Sequence, residues 1–159
     1  RIALTGFARS GKDEVGKILQ EFGYERRAPG DIIKRQVADL CQEELGFSSF
    51  TESNAEKEQI RPLLEHWGEV NYQNIQDEFF SSLPKKCVNT RLVRWPEAQR
   101  WRQEGGSVFV VVRPDTVPAT EWESEQFEEL CAHMCVDGFI NNDRDLAHLR
   151  QNVVSLFGL

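Results

Sequence analysis

The feature that most constrains this chain is a glycine-bounded turn between a short apolar run and an amphipathic stretch. Ile2-Ala3-Leu4 is typical of a buried strand. From Gly11 to about Phe22, apolar side chains recur at helical spacing, and Gly23 is a plausible helix end. The order strand, glycine turn, helix predicts a βα unit whose turn delivers the chain directly into the first turn of a helix.

That turn has the spacing of a phosphate-binding loop. Two glycines with four residues between them, followed by lysine, match the Walker A pattern, which here reads Gly6-Phe7-Ala8-Arg9-Ser10-Gly11-Lys12-Asp13. The glycines let backbone N–H groups wrap an anion, and the helix directs its positive dipole end at the same point. Lys12 adds a mobile positive charge. We therefore predict that residues 6–13 bind nucleotide phosphates; the alternative is a coincidental glycine turn with an exposed lysine.

Asp13 departs from the usual pattern, which places serine or threonine after the lysine to hold magnesium. Two interpretations stay open for this carboxylate. It could simply be stabilised by the positive end of the helix dipole, or it could be a magnesium ligand, because this hard cation accepts carboxylate oxygen.

The rest of the chain alternates apolar runs with helical patterns, which predicts one α/β domain over residues 1–159 with a parallel sheet in three layers. The clearest strand is residues 107–112, and weaker strand patterns occur at 24–28, 87–90 and 139–140. Further helices are predicted at 31–45, 55–67 with a kink or boundary at Pro62, 70–83, 96–104, 123–134 (ending at Met134) and 145–157.

Composition excludes several classes of protein. A net charge of −7 disfavours general nucleic-acid binding, because neutralising a phosphate backbone takes a basic surface. No apolar run reaches the roughly 18 residues that a membrane span needs, and the N-terminus lacks a secretory pattern. The spacing of Cys131, His133 and Cys135 matches no common zinc site. We expect reduced cysteines and a cytoplasmic protein.

With the loop in place, the chain resembles the phage-type deoxynucleoside monophosphate kinases, which also favour aspartate after the loop lysine. The resemblance covers almost the whole chain, because similar segments follow in the family's order. They are Ala28-Pro29-Gly30-Asp31-Ile32-Ile33-Lys34, the segment Arg61-Pro62-Leu63-Leu64-Glu65-His66-Trp67-Gly68, Glu97-Ala98 with the later Gly105-Gly106 and Arg113-Pro114, Glu123-Ser124-Glu125, and Asp137-Gly138-Phe139-Ile140-Asn141-Asn142.

The resemblance implies the fold of the P-loop nucleoside monophosphate kinases, with ATP and Mg²⁺ as cofactors and a (deoxy)nucleoside monophosphate as acceptor. It implies that residues 31–83 form a helical acceptor-binding region and that residues 113–125 form a short lid. Among the site residues, Lys12 and Asp13 would act on the donor phosphates and metal, with Arg94 or Arg91 beside them. Asp31, Lys34 and Arg61 would bind the acceptor, and Asn142 the donor base. For the charged outer residues an ordinary surface charge is an equally good explanation, and Asn142 could be an ordinary turn residue.

The stretch Asn89-Thr90-Arg91-Leu92-Val93-Arg94 lacks, on an ungapped match, the acidic residue that helps the family hold magnesium. A nucleotide-binding protein with a degenerate catalytic site therefore stays open as an alternative, as does another small P-loop kinase such as a dephospho-coenzyme A kinase. The expected partners are small-molecule nucleotides, with no nucleic acid and no membrane; a homodimer stays open.

Overall fold

The computed structural model describes residues 1–133 and 135–159. Within these residues the chain forms five strands and eight helices. The strands are β1 (Ile2–Thr5), β2 (Glu25–Arg27), β3 (Cys87–Asn89), β4 (Ser107–Val112) and β5 (Gly138–Asn141). The helices are α1 (Lys12–Glu21), α2 (Pro29–Gln36), α3 (Ala38–Glu44), α4 (Asn54–Val70), α5 (Tyr72–Ser81), α6 (Trp95–Gln103), α7 (Glu121–Ala132) and α8 (Leu146–Phe157).

The strands form one parallel sheet in the order β2-β3-β1-β4-β5. Every residue of β1 is buried, as expected for the central strand of a sheet covered on both faces. The connection after β1 leads to β2, on one side of β1 in the sheet. The strand on the other side of β1 is β4, and the connection after it leads further out, to β5. Such a reversal opens a crevice at the carboxyl ends of the strands, where parallel sheets bind ligands.

The chain divides into two compact units, which are described separately. The first comprises Arg1–Arg27 and Pro84–Leu159 and contains the whole sheet. Its main core joins apolar residues of the strands to α1 and α8, namely Ile2, Leu4, Val15, Ile18, Leu19, Val88, Val111, Ile140, Leu149 and Val153. Trp101 of α6 and Leu130 of α7 are also fully buried. The predicted three-layer α/β fold with a central parallel sheet is confirmed.

The second unit, Ala28–Leu83, is helical throughout its regular structure and has its own small core of Val37, Cys41 and Ile60. One sequence prediction is wrong here, and one alternative is removed. The single helix expected over 31–45 is two helices, because the backbone of Val37 leaves helical geometry (φ −100°, ψ 7°). Of the two alternatives at Pro62, a boundary is contradicted, since α4 continues through it to Val70, and a kink stays a prediction.

Elsewhere the boundaries differ modestly from the expected ones. Helix α7 begins two residues earlier than predicted, because the Thr120 side chain caps it by accepting a hydrogen bond from the Glu123 amide. The predicted end of this helix at Met134 lies outside the described residues. Among the helices of the described residues, none has the length and apolar character needed to cross a membrane.

Candidate phosphate-binding site

The loop between β1 and α1 has a backbone that only glycine accommodates at its two ends. Gly6 and Gly11 have φ values of 124° and 104°, in the region that side chains rarely adopt. A Cβ atom at Gly6 would lie 2.5 Å from the Val111 carbonyl oxygen, and one at Gly11 would lie 2.3 Å from Nδ2 of Asn142. Both positions therefore exclude larger residues by conformation and by close packing.

The middle of the loop is a tight turn held from both sides. Arg9 adopts a left-handed conformation (φ 65°), and the Ser10 amide donates to the Phe7 carbonyl at 3.2 Å. Asn142, which follows β5, donates from Nδ2 to the Ser10 carbonyl at 2.9 Å. The Ser10 side chain is buried, and its hydroxyl has no hydrogen-bond partner among the described residues. A buried, unpartnered hydroxyl inside a glycine loop is consistent with a polar ligand.

Lys12 is folded back onto the loop. Its Nζ donates to the carbonyl oxygens of Gly6 and Phe7, each at 2.7 Å. Burial lowers the pKa of Lys12; the negative charges of Glu123 and Asp13 oppose that shift, while Arg91 adds to it. The ammonium group is thus partly desolvated and lies near two carboxylates and a guanidinium.

A carboxylate from α7 binds the same loop. Oε1 of Glu123 accepts a hydrogen bond from the Ala8 amide at 2.8 Å, and Oε2 accepts from the Ala119 amide at 2.6 Å. Nearby, the rings of Phe7 and Phe127 pack with centroids 4.9 Å apart. The start of α7 is therefore joined to the phosphate loop by a charged contact and an aromatic one.

The end of β3 carries no carboxylate. Asn89 accepts a hydrogen bond from the Arg91 amide at 2.9 Å, and Thr90 is 1% exposed. A Cβ atom on Gly16 would lie 2.5 Å from Cγ2 of Thr90, so α1 packs closely here. Arg94 lies a few residues on, with its guanidinium 5.7 Å from the ring centroid of Trp122. Any acidic group at the loop must come from another element.

An open basin of about 520 Å³ adjoins the loop; its lining includes Arg9 of the loop and Asn142, which hydrogen-bonds to it. It is formed by residues that follow β4 and β5 and carries three arginines and two aspartates; its lining is Arg9, Arg113, Pro114, Asp115, Thr116, Asn142, Asp143 and Arg144. The residues after β4 turn tightly, with the Thr116 hydroxyl donating to the Arg113 carbonyl at 2.7 Å. The basin lies at the carboxyl ends of the strands, where open parallel sheets bind ligands.

A somewhat larger groove, about 610 Å³, lies at the opposite ends of β4 and β5. Its two charged residues are already paired, because Asp137 accepts from the Val108 amide at 2.7 Å and pairs with Arg102 at 3.0 Å. Size alone is therefore a poor guide, and the smaller basin beside the loop is the better candidate for a ligand site.

The residues at the loop fit magnesium only in the manner of a nucleotide-bound ion. Asp13 is exposed in the first turn of α1. No group of three metal-binding side chains occurs in residues 1–133 and 135–159. Magnesium commonly takes one or two protein carboxylates and completes its shell with phosphate oxygens and water. Asp13 fits that role, whereas a metal held by protein ligands alone does not fit.

The predicted acceptor residues all belong to the second unit. Asp31 lies in the first turn of α2. The Lys34 ammonium lies 5.4 Å from the ring centroid of Phe50, and its carbonyl accepts from the Ser49 hydroxyl at 2.8 Å. Arg61 on α4 forms an exposed pair with Glu58 at 2.8 Å. Their acceptor-binding role stays a prediction.

The structure thus brings together Gly6–Asp13 and Asn142, with Arg91 close enough to influence Lys12. Sequence reasoning did not identify the loop contact of Glu123, or Arg113 and Arg144 in the basin. The spacing Thr120-x-x-Glu123 resembles a helix capping box and could have located the start of α7. It could not have shown that this glutamate reaches the loop, because the contact joins residues 115 positions apart.

No family model matches the sequence, and no curated protein matches it. Solved structures do share the fold. A dephospho-CoA kinase from Campylobacter jejuni is similar with a TM-score of 0.55 at 12% identity, covering 99% of this chain and 94% of the other. A shikimate kinase from Acinetobacter baumannii, in complex with shikimate, has a TM-score of 0.56 at 18% identity, covering 98% of this chain and 91% of the other. A shikimate kinase from Aquifex aeolicus has a TM-score of 0.56 at 21% identity, covering 99% of this chain and 96% of the other.

This chain has the P-loop kinase fold. At such low identities the similarity concerns architecture alone, a five-stranded parallel sheet flanked by helices. The predicted P-loop fold is confirmed. The kinase names of these neighbours bear on this chain's function only as support for a proposal.

Proposed function

We propose that this protein is an ATP-dependent phosphotransferase whose acceptor is a (deoxy)nucleoside monophosphate. The observation that carries the proposal is the loop at the carboxyl end of β1, with its two positive-φ glycines, the Lys12 ammonium beside it and an unpartnered buried Ser10 hydroxyl. A loop of this geometry at the start of a helix binds phosphate through backbone amides and the helix dipole.

On the donor side, the amides of the loop would bind the ATP phosphates, and Lys12 would leave its carbonyl partners to meet the outer phosphates. Arg91, whose positive charge adds to the lowering of the Lys12 pKa, would offset charge on the transferred group. The adenine would extend into the basin over Arg113 and Pro114, and Asn142 would lie beside it. Asn142 also braces the loop, so it would link base binding to loop geometry.

Magnesium, when bound with ATP, would neutralise the developing phosphate charge, and Asp13 is the side chain that would help hold it. The chain's own contribution is alignment, since phosphoryl transfer needs little covalent chemistry from protein groups.

The acceptor assignment rests on the resemblance of the segments containing Asp31, Lys34 and Arg61 to the phage-type deoxynucleoside monophosphate kinases. Arg61 would bind the acceptor phosphate, and its existing partner Glu58 is an exposed carboxylate that a phosphate could replace at little cost. The kinases of known structure with this fold act, by their names, on different acceptors. The acceptor must therefore be tested directly.

One observation favours a second function, nucleotide binding without efficient transfer. The end of β3 presents buried Thr90 and then Arg91, with no acid to assist Asp13 in holding magnesium. A protein of this kind would bind ATP and use it to stabilise a conformation or a partner.

The test is a phosphoryl-transfer assay with ATP and magnesium and a panel of deoxyribo- and ribonucleoside monophosphates, with dephospho-CoA and shikimate as further acceptors. We expect transfer to at least one nucleoside monophosphate and its loss in Lys12→Ala. ATP binding without transfer to any acceptor would support the second function. Transfer only to dephospho-CoA or shikimate would contradict the proposed acceptor while keeping the kinase.

A further inference from the structure

We propose that Glu123 is an internal anion that competes with nucleotide phosphate for the loop, so that nucleotide binding displaces it and releases residues 119–123 from the loop. This inference rests on the proposed function, because it concerns the regulation of the same phosphate site. It assigns to Glu123 a role that neither the loop motif nor the fold requires.

The geometry of Glu123 is that of an anion bound at a loop. One carboxylate oxygen accepts from the Ala8 amide, an N–H of the phosphate loop, at 2.8 Å. The other accepts from the Ala119 amide at 2.6 Å, in the turn that precedes α7. Hydrogen bonds from backbone amides to a carboxylate are charge-assisted and are about twice as strong as neutral ones. Glu123 therefore links the loop, which it contacts through Oε1, to the turn before α7, which it contacts through Oε2.

The charge on Glu123 also acts on Lys12. Among the charged groups that influence Lys12, Glu123 has the largest effect, and it raises the pKa of the lysine against the effect of burial. Lys12 meanwhile donates to two carbonyls of its own loop. The two groups that should attract phosphate, the Ala8 amide and the Lys12 ammonium, thus already donate hydrogen bonds to oxygens of the protein.

An incoming triphosphate cannot share this site with Glu123 at no cost. Like charges within a few ångströms repel strongly where solvent is partly excluded. The phosphate must either displace the carboxylate from the Ala8 amide or bind beside it with lower affinity. Displacement would also free the Ala119 amide and hence the end of the predicted lid, while the packing of Phe7 on Phe127 would keep α7 near the loop. Phosphate occupancy and the lid are coupled through this one side chain.

The test is ATP binding measured by calorimetry without divalent metal, so that a metal-binding role of Glu123 cannot contribute. Glu123→Gln removes the charge and keeps the shape. Glu129→Gln, an exposed glutamate on the same helix, makes the same change of net charge. We expect Glu123→Gln to bind ATP on the order of tenfold more tightly than wild type, and Glu129→Gln to match wild type. In ¹⁵N spectra of the wild type, the Ala119 amide should shift on ATP addition.

Equal or weaker ATP binding by Glu123→Gln would overturn the inference while leaving the phosphate site intact. The same gain in Glu129→Gln would also overturn it, because the effect would then follow net charge alone. Absence of ATP binding in both wild type and Glu123→Gln would overturn the proposed function together with the inference. Binding by Glu123→Gln where wild type shows none would support both.

Discussion

The phosphate loop of the first unit and the predicted acceptor residues of the second unit are built in different ways. In the loop, the backbone conformation is defined by positive-φ residues, the buried Ser10 and hydrogen bonds from distant elements. In the second unit, Lys34 and Arg61 are helix residues whose head groups contact a half-exposed ring or an exposed glutamate. Nothing in their surroundings constrains them to one role.

This difference teaches which hypotheses the structure constrains more strongly. A loop whose conformation excludes other residues makes a specific prediction, because a substitution there changes its backbone as well as any ligand contact. Exposed charges on helices bind a ligand only if another group meets them, and their ordinary contribution to stability is small. Substitutions in the loop should therefore change both nucleotide binding and stability. Substitutions of Lys34 or Arg61 should change acceptor kinetics alone.

The largest effect is expected at Lys12. Replacing it with alanine removes the only lysine of the loop, and we expect ATP affinity to fall by at least about 100-fold, equivalent to about 2.7 kcal/mol. Lys17→Ala is the matched control, since Lys17 is exposed on the same helix and pairs with Glu14. Calorimetry of both variants gives the comparison. Equal affinities in the two would show that the loop does not recognise phosphate through Lys12.

The next effect concerns stability and compares glycines of the two units. Gly6→Ala combines a forbidden φ with a Cβ position 2.5 Å from a backbone oxygen, and we expect it to lower the free energy of unfolding by about 3 kcal/mol. Gly46→Ala also has a positive φ, but no atom lies within 4 Å of the added Cβ, so about 1 kcal/mol is expected. Denaturant unfolding measures both. A Gly6→Ala variant as stable as Gly46→Ala would mean that the loop is not packed as described.

Much of the first unit could be predicted from sequence, and much of its site could not. The apolar run at 107–112 and the glycine loop predicted β4, β1 and the start of α1, because local patterns determine them. The break at Val37 was not predicted, because the apolar spacing continues across it. The turn depends instead on the packing of Val37 in the core of the second unit. Glu123 was recognised only as part of a family-like segment, because its contact with Ala8 depends on the packing of α7.

A smaller effect is expected at Arg61. If it binds the acceptor phosphate, Arg61→Ala should raise the acceptor KM about tenfold and leave ATP affinity unchanged, because it removes one charge-assisted contact. Arg35→Ala is the control, since Arg35 is a similarly exposed arginine of the second unit that pairs with Glu78. Steady-state kinetics distinguish the two. Equal KM values in both variants would make Arg61 an ordinary surface residue.

The smallest effect is a pH dependence at Lys12. Its pKa is lowered by burial, so between that lowered value and 10.5 the unfolded chain binds more protons than the folded one. Stability from this group therefore rises with pH across that window. The unfolding free energy of wild type relative to Lys12→Met should increase as pH approaches 10.5. A difference that stays flat or declines would show that the lysine is not desolvated in the folded protein.

The central claim is that residues 6–13 bind the phosphates of ATP. The most direct measurement is a titration of ¹⁵N-labelled protein with ATP and magnesium, following the backbone amides. We predict that the largest shifts occur at Ala8, Arg9, Ser10, Gly11 and Lys12, and that they are lost in Lys12→Ala. Unchanged loop amides, with shifts confined to the groove around Asp137 or to the second unit, would contradict the account.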